Sequence, residues 1–231
     1  MRCVILQPSY IPWRGYFDLI RRADVFVFYD DVQYDKGGWR NRNRIKTPAG
    51  SIWLTVPIQN RGIVSLGTTI NEIRTIDDDW PRRHLNTIIR SYANAPHFDE
   101  YRGWLERTYS VRPPLLAPFT IQTTIELAAL MGITTTTFLR SSEMPVSGRK
   151  TDRVLSVLRH VGATHYLSGP AAKSYIDEDV FSREGIALEW QEYNYPEYPQ
   201  LYPPFDPFVS VLDLLFMTGD QAIESLQPSS R

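Results

Sequence analysis

Two features of this chain could carry chemistry: a pair of adjacent carboxylates and a strand of alternating cations. Asp30-Asp31 closes the apolar run Val25-Phe26-Val27-Phe28-Tyr29 and is followed by Val32-Gln33-Tyr34. A carboxylate there can take a proton from an amine or hydroxyl, orient a hydroxyl, or join a metal site. Adjacent strand residues point to opposite faces, so one of the two enters a given pocket unless the strand has already turned. No spaced histidine or carboxylate set accompanies the pair, and no metal ligand is assigned. The plainer alternative is a turn, which acidic residues start readily.

The cations lie in Trp39-Arg40-Asn41-Arg42-Asn43-Arg44-Ile45-Lys46. In a strand, Arg40, Arg42, Arg44 and Lys46 share one face, with Asn41, Asn43 and Ile45 on the other. Four cations on one face repel unless solvent or an anion lies opposite. An arginine fork suits phosphate or carboxylate; a solvated edge strand protected from aggregation accounts for the same pattern. Gly148-Arg149-Lys150-Thr151 resembles the last part of a phosphate loop without its leading glycine, and offers two cations at a helix start. Ser168-Gly169-Pro170 is a small-residue turn that allows close approach of a ligand to the backbone. His84, His97, His160 and His165 show no nucleophile–base or metal spacing, so surface or capping roles are expected for each. No G-x-S-x-G elbow, Walker loop or G-x-G-x-x-G fingerprint is present.

The elements that must position these residues follow from periodicity. Residues 3–6 read as a buried strand that ends in Gln7-Pro8-Ser9-Tyr10. Trp13, Tyr16, Phe17 and Ile20 then fall at helical spacing, with Pro12 suited to a first turn, and residues 25–29 form a second strand. This is one βαβ unit in about 30 residues. A hairpin is expected with arms 39–47 and 51–58 around Pro48-Ala49-Gly50, then irregular strands in 62–76. Helices are expected on the stripes Leu85–Tyr92 and Phe98–Thr108, and from an N-cap at Thr120 to Met131. A strand at 134–139 ends in Arg140-Ser141-Ser142-Glu143. A helix through Val154–Val161 closes at Gly162, and strands follow at 164–167 and 187–190. Residues 193–208, crowded with Pro and Tyr, read as an ordered wrap, and a last helix covers 209–217 before a frayed tail after Gln227. The fold class is therefore α/β: a Rossmann-like parallel sheet flanked by helices, with a β-hairpin insertion and a Tyr/Pro-rich C-terminal wrap, in one domain over 1–231. In such sheets ligands bind beyond the carboxyl ends of the strands, where the polar residues above fall.

Composition sets the outer bounds. The chain has 231 residues, 42% hydrophobic and 22% charged, with a net charge of -1. No global field draws in nucleic acid. The single cysteine, Cys3, forms no internal disulfide and reads as a buried thiol. No apolar run approaches the roughly 20 residues that span a bilayer, and no signal segment opens the chain, so a cytoplasmic protein with no membrane insertion is expected.

The combined motifs resemble those of the WbqC-like proteins: Gln7-Pro8-Ser9-Tyr10-Ile11-Pro12-Trp13-Arg14-Gly15-Tyr16-Phe17, Asp30-Asp31-Val32-Gln33-Tyr34, Asn41-Arg42-Asn43-Arg44 and Trp53-Leu54-Thr55-Val56-Pro57. The likeness resumes at Lys150-Thr151, Tyr166-Leu167-Ser168-Gly169, Tyr198-Pro199-Gln200 and Ser210-Val211-Leu212-Asp213-Leu214-Leu215. Members of that family occur in bacterial gene clusters for surface polysaccharides such as O-antigen and for specialised metabolites. The resemblance implies a transferase that moves an acyl or aminoacyl group to an amino sugar or related amine. Its partner would be an anionic small molecule or a thioester donor, free or on a carrier protein; no cofactor follows from the residues. On this reading Asp30 or Asp31 positions or deprotonates the acceptor. Arg42, Arg44 and Lys150 hold an anion; Gln7, Gln33 and Asn41 orient polar groups; Tyr10, Trp13 and Tyr34 form walls; Ser168 and Gly169 admit the ligand. The turn 8–16 also resembles the histidine-bearing turn of class I nucleotidyltransferases, with Trp13 and Tyr16 in the comparable places. A nucleoside-triphosphate-using enzyme and a non-catalytic binding protein stay open as alternatives.

Overall fold

The computed structural model describes residues 1–59, 62–63, 65–194 and 196–226. In chain order its elements are β1 (Arg2–Leu6), α1 (Arg14–Arg21), β2 (Val25–Phe28), β3 (Arg42–Thr47), β4 (Gly50–Thr55), α2 (Trp80–Tyr92), α3 (Phe98–Tyr109) and α4 (Leu116–Leu130). Then come β5 (Thr137–Arg140), α5 (Lys150–Val161), β6 (His165–Ser168), α6 (Glu178–Arg183), β7 (Ala187–Trp190) and α7 (Val211–Thr218). Five strands form one parallel sheet in the order β5-β2-β1-β6-β7. The chain builds outward from β1 through β2 to β5, then returns to add β6 and β7 on the other side of β1. The strand order thus reverses between β1 and β6, the place where open α/β sheets leave a crevice.

Alternation explains the two layers. Val4, Phe26 and Phe28 join one apolar core with residues of α1 to α4 and α7, among them Phe17, Ile88, Leu127 and Leu212. Cys3, Ile5, Val25 and Val27 face a second core with Val154 and Leu158 of α5 and Phe181 of α6. Strands buried on both faces read as continuous apolar runs, which is how β1 and β2 stand in the sequence. Burial pushes the Cys3 thiol up to about 12.

Several element bounds differ from the sequence expectation for local reasons. The third long helix starts at Leu116 rather than at Thr120, which lies buried inside it and donates to Ala117 O at 3.1 Å. Pro118 sits in its first turn, where the missing N–H has no intrahelical partner to lose. Pro12 is outside α1, whose N-cap is Trp13. The hairpin pairs over 42–47 and 50–55, with Thr47 opposite Gly50 and Pro48-Ala49 as the loop. Of the expected strands in 62–76, the described residues show isolated bridges, Gln33 to Thr69, Ile58 to Thr75 and Arg74 to Leu115. The wrap expected over residues 193–208 holds neither helix nor strand among its described residues. The expected frayed tail lies outside the described residues. No helix among the described residues is long and apolar enough to cross a membrane.

Candidate functional site

The carboxyl edge of the sheet is where the chain concentrates polar side chains. Asp30 is 1% exposed. Its carboxylate accepts from Ser142 N (3.1 Å), Ser142 Oγ (2.8 Å) and Ser141 Oγ (3.3 Å), clamping the end of β2 to the turn after β5. Asp31 has turned the other way. It accepts from Ser141 Oγ at 2.5 Å and pairs with the Arg153 guanidinium of α5. The two carboxylates therefore divide as alternation requires: Asp30 is enclosed by hydroxyls and a backbone N–H, and Asp31 is partly open beside a cation.

The first turn of α5 is tied to both neighbours of β1. Arg153 reaches Asp31 beyond β2, while Thr151 Oγ1 donates to Tyr175 O (3.1 Å) and accepts from Asp177 N (3.1 Å), beyond β6. That turn accordingly spans the end of β1, where the strand order reverses. Lys150, exposed, opens it with φ 51°, and Ile11 in the β1–α1 loop has φ 34°. Among the described residues these are the two non-glycine positions in the left-handed region. For Ile, a β-branched residue, that region is strained, and such strain collects at functional sites. Gly148 has φ 97°, and a Cβ there would meet Arg153 N at 3.1 Å, so glycine is what lets this loop lie on the helix start.

The other expected residues fall into three groups. Gln7 is half-buried at the end of β1, and its carbonyl accepts from Tyr16 Oη (3.2 Å) and Arg40 (3.1 Å). Ser168 is buried, donating to Tyr166 Oη at 3.1 Å, and Gly169 follows with open space where a Cβ would stand. These lie at the edge with Asp31 and Lys150. A second group holds the loops in place. Tyr34 Oη donates to Asn41 Oδ1 (2.8 Å) and Asn41 Nδ2 to Val56 O (2.8 Å), so both polar groups of Asn41 are engaged inside the protein. Asn43 Nδ2 donates to Ile11 O at 2.7 Å and fixes the strained turn. Trp13 meets the Tyr193 ring edge-on, 5.3 Å between centroids, and Gln33 is exposed and bridges to Thr69. Third, the basic arm is split. Arg42 lies over Trp53, 4.5 Å from the ring centroid, and donates to Gly37 O (2.6 Å). Arg44 pairs with Asp206 (2.5 Å), and Lys46 donates to Gln200 Oε1 (2.6 Å) and Pro204 O, all in the wrap.

Two buried clusters were not expected. Tyr10 Oη meets His84 Nδ1 at 2.8 Å and Tyr109 Oη at 2.6 Å, boxed by Trp80 and Phe119. His84 is therefore a core residue rather than the surface or capping group its helical position suggests, and burial pushes it down to about 4. Its partner is 74 positions away, which no local pattern reveals. Under the wrap, Asp213 accepts from Tyr92 and Tyr198, each at 2.8 Å, and burial pushes its carboxyl up. Burial lowers Lys46 nearby. Arg153 and Ser141 were also missed as site residues, and Arg40 was read only as part of the basic face. For Arg153 a signal existed: it lies three positions after Lys150 on one helical face. A groove of about 430 Å3 between α3 and α4, lined by Trp104, Val111, Phe119 and Leu130, shares Phe119 with the Tyr10 cluster.

With this geometry in hand, comparison with known proteins places the chain. The WbqC-like protein family matches over residues 7–225. The chain belongs to the WbqC-like protein family. Similar to it is the "Uncharacterized protein Rv1507c" of Mycobacterium tuberculosis (strain ATCC 25618 / H37Rv), 40% identical over 228 residues, or 98% of this chain and 97% of that protein. No solved structure matches. In this WbqC-like protein the matched span takes in every edge residue described above, from Gln7 to Gly169.

Proposed function

We propose that this WbqC-like protein is a small-molecule transferase of surface-polysaccharide or natural-product assembly, acting in the cytoplasm. On this reading it moves an acyl or aminoacyl group from a thioester to an amino sugar or related amine at the carboxyl edge of the sheet. The observation that supports it is the first turn of α5, pinned across the end of β1 with exposed Lys150 in a left-handed backbone. A helix N-terminus with a cation beside it suits a phosphate of the donor. Asp31 is the carboxylate a ligand reaches, since Asp30 is enclosed by the Ser141–Ser142 turn. The acceptor nitrogen attacks the thioester carbonyl, the C–N bond forms, the C–S bond breaks, and the nitrogen's proton passes to Asp31. Arg153 pairs with Asp31 and fixes where its carboxylate stands. Gln7 and Ser168-Gly169 border the acceptor.

Native mass spectrometry after incubation with nucleotide sugars, nucleoside triphosphates and acyl or aminoacyl thioesters tests this. A retained thioester, transferred to an added amine and bound about tenfold more weakly by Lys150→Ala, is the expected result. A retained triphosphate released as pyrophosphate would replace this reading with nucleotidyl transfer, and unchanged donor affinity in Lys150→Ala would remove the anion site from it.

A further inference from the structure

Trp53 on the hairpin and Trp39 in the loop before it form an exposed aromatic surface next to the carboxyl edge. Trp39 is 42% and Trp53 46% exposed. Their ring centroids are 5.1 Å apart with the planes tilted by 41°. Large indoles left open in pairs are unusual on a soluble surface and mark a binding surface more often than single exposed residues do. The Arg42 guanidinium lies over Trp53, and its buried Nε has no hydrogen-bond partner. The surface is joined to the site by backbone: Trp39 O accepts from Tyr10 N (3.3 Å), and Arg40 donates to Gln7 O (3.1 Å) and Ser9 Oγ (2.7 Å) at the end of β1.

We propose that Trp39, Trp53 and Arg42 form a saccharide subsite, which takes the ring of an anionic sugar such as a glycosyl phosphate. The proposal rests on the transferase reading and names the acceptor class for it. The negative face of an indole attracts the polarised C–H groups on the less polar face of a pyranose. The tilt favours a sugar over a base. A nucleobase is flat and stacks on one ring, as bases do on aromatic platforms, whereas the puckered face of a pyranose can touch two planes inclined to each other. The two indoles meet and Arg42 lies over Trp53, so nothing is sandwiched between the rings, and the ligand lies across the parts of both that stay exposed. Arg42 beside the rings supplies the cation for the phosphate or carboxylate of that sugar. Asp35, held by Arg40 at 3.1 Å, stands in the same loop as an acceptor for hydroxyls.

Isothermal titration with a panel of hexose and hexosamine 1-phosphates, UDP-N-acetylglucosamine, UDP and inorganic phosphate tests the subsite. At least one sugar phosphate is expected to bind. Trp39→Ala and Trp53→Ala should each weaken it at least tenfold, Trp39→Phe within about threefold, while binding of phosphate alone is unmoved by the tryptophan changes. Circular dichroism confirms that the variants stay folded. The proposal is overturned if the tryptophan variants bind like the parent, if UDP binds as tightly as the UDP-sugar with the same tryptophan dependence, or if no sugar in the panel binds. It is also overturned if sedimentation shows a dimer that Trp53→Ala dissolves, since the rings would then serve a second copy of the chain. The two readings fail separately. A protein that binds sugar phosphates through the tryptophans but forms no product with any thioester refutes the transferase and leaves the subsite standing. A working transferase indifferent to Trp39 and Trp53 does the reverse.

Discussion

The two halves of β3 share one alternation of cation and buried residue, yet they meet different surroundings. At the far half, Arg44 and Lys46 run under the wrap, where Asp206, Gln200 and the Pro204 carbonyl receive them. Behind them Asp213 gathers Tyr92 and Tyr198 into one buried network. At the near half, Arg42 and the indoles of Trp39 and Trp53 face outward, and Arg40 grips the loop after β1. Cations that look equivalent along a strand therefore do two jobs. One pair fastens the C-terminal segment, and the other borders the candidate site. Which is which depends on where acceptors arrive from elsewhere in the chain.

The closed half should be the more sensitive to mutation. Asp213→Ala leaves two buried tyrosine hydroxyls without their acceptor and takes from Lys46 one of the two carboxylates that act on it, Asp206 remaining. The expected loss is about 3–5 kcal/mol in chemical denaturation, the range for breaking a buried polar network. Asp213→Asn keeps an acceptor oxygen and should lose less than half of that. A loss for Asp213→Ala below 1 kcal/mol would mean that the wrap is held by its apolar rings, Tyr198 and Phe205, rather than by this network.

The near half rests on the Tyr10–His84–Tyr109 cluster, and there pH provides the test. His84 takes up a proton near 6.5 when unfolded and near 4 when buried. Between those values the unfolded state binds more protons, so this contribution is present above pH 6.5 and is lost as pH falls through about 4. The full loss is about 3 kcal/mol at 1.36 kcal/mol per pH unit. Unfolding free energies from chemical denaturation at pH 7 and pH 4.5 should differ by most of that amount in the parent and much less in His84→Gln. An equal pH dependence in both proteins would assign the effect to other groups.

Much of the fold was legible because it is local. The alternation of Cys3 and Ile5 against Val4, the strand after Asp24 and the left-handed stop at Gly162 each follow from a few neighbouring residues. The site was legible in outline for the same reason: strands end where polar residues begin. The split of the basic arm was not, because the acceptors of Arg44 and Lys46 lie 154–162 positions downstream. Nor was the open indole pair. In an edge strand such as β4 both Ile52 and Trp53 are exposed, so alternation alone does not tell which residue faces a partner.

The smallest expected effect separates the halves most cleanly. Arg44 and Asp206 are partly buried, with side chains 27% and 18% exposed, and Ser51 shares the same carboxylate oxygen at 2.5 Å. Arg44→Ala should therefore lose about 1 kcal/mol, with a measurable coupling to Asp206→Ala in a double-mutant cycle. Arg42→Ala gives up a stacking contact at an open surface and should lose about 0.5 kcal/mol. The order inverts for ligand. Arg42→Ala should weaken sugar phosphate binding, because its guanidinium faces outward, whereas Arg44→Ala should leave it unchanged, because its fork already holds Asp206. Equal effects of the two substitutions on binding would erase the distinction between a fastened and an open half, and would mean that the wrap lifts to offer Arg44 to the ligand.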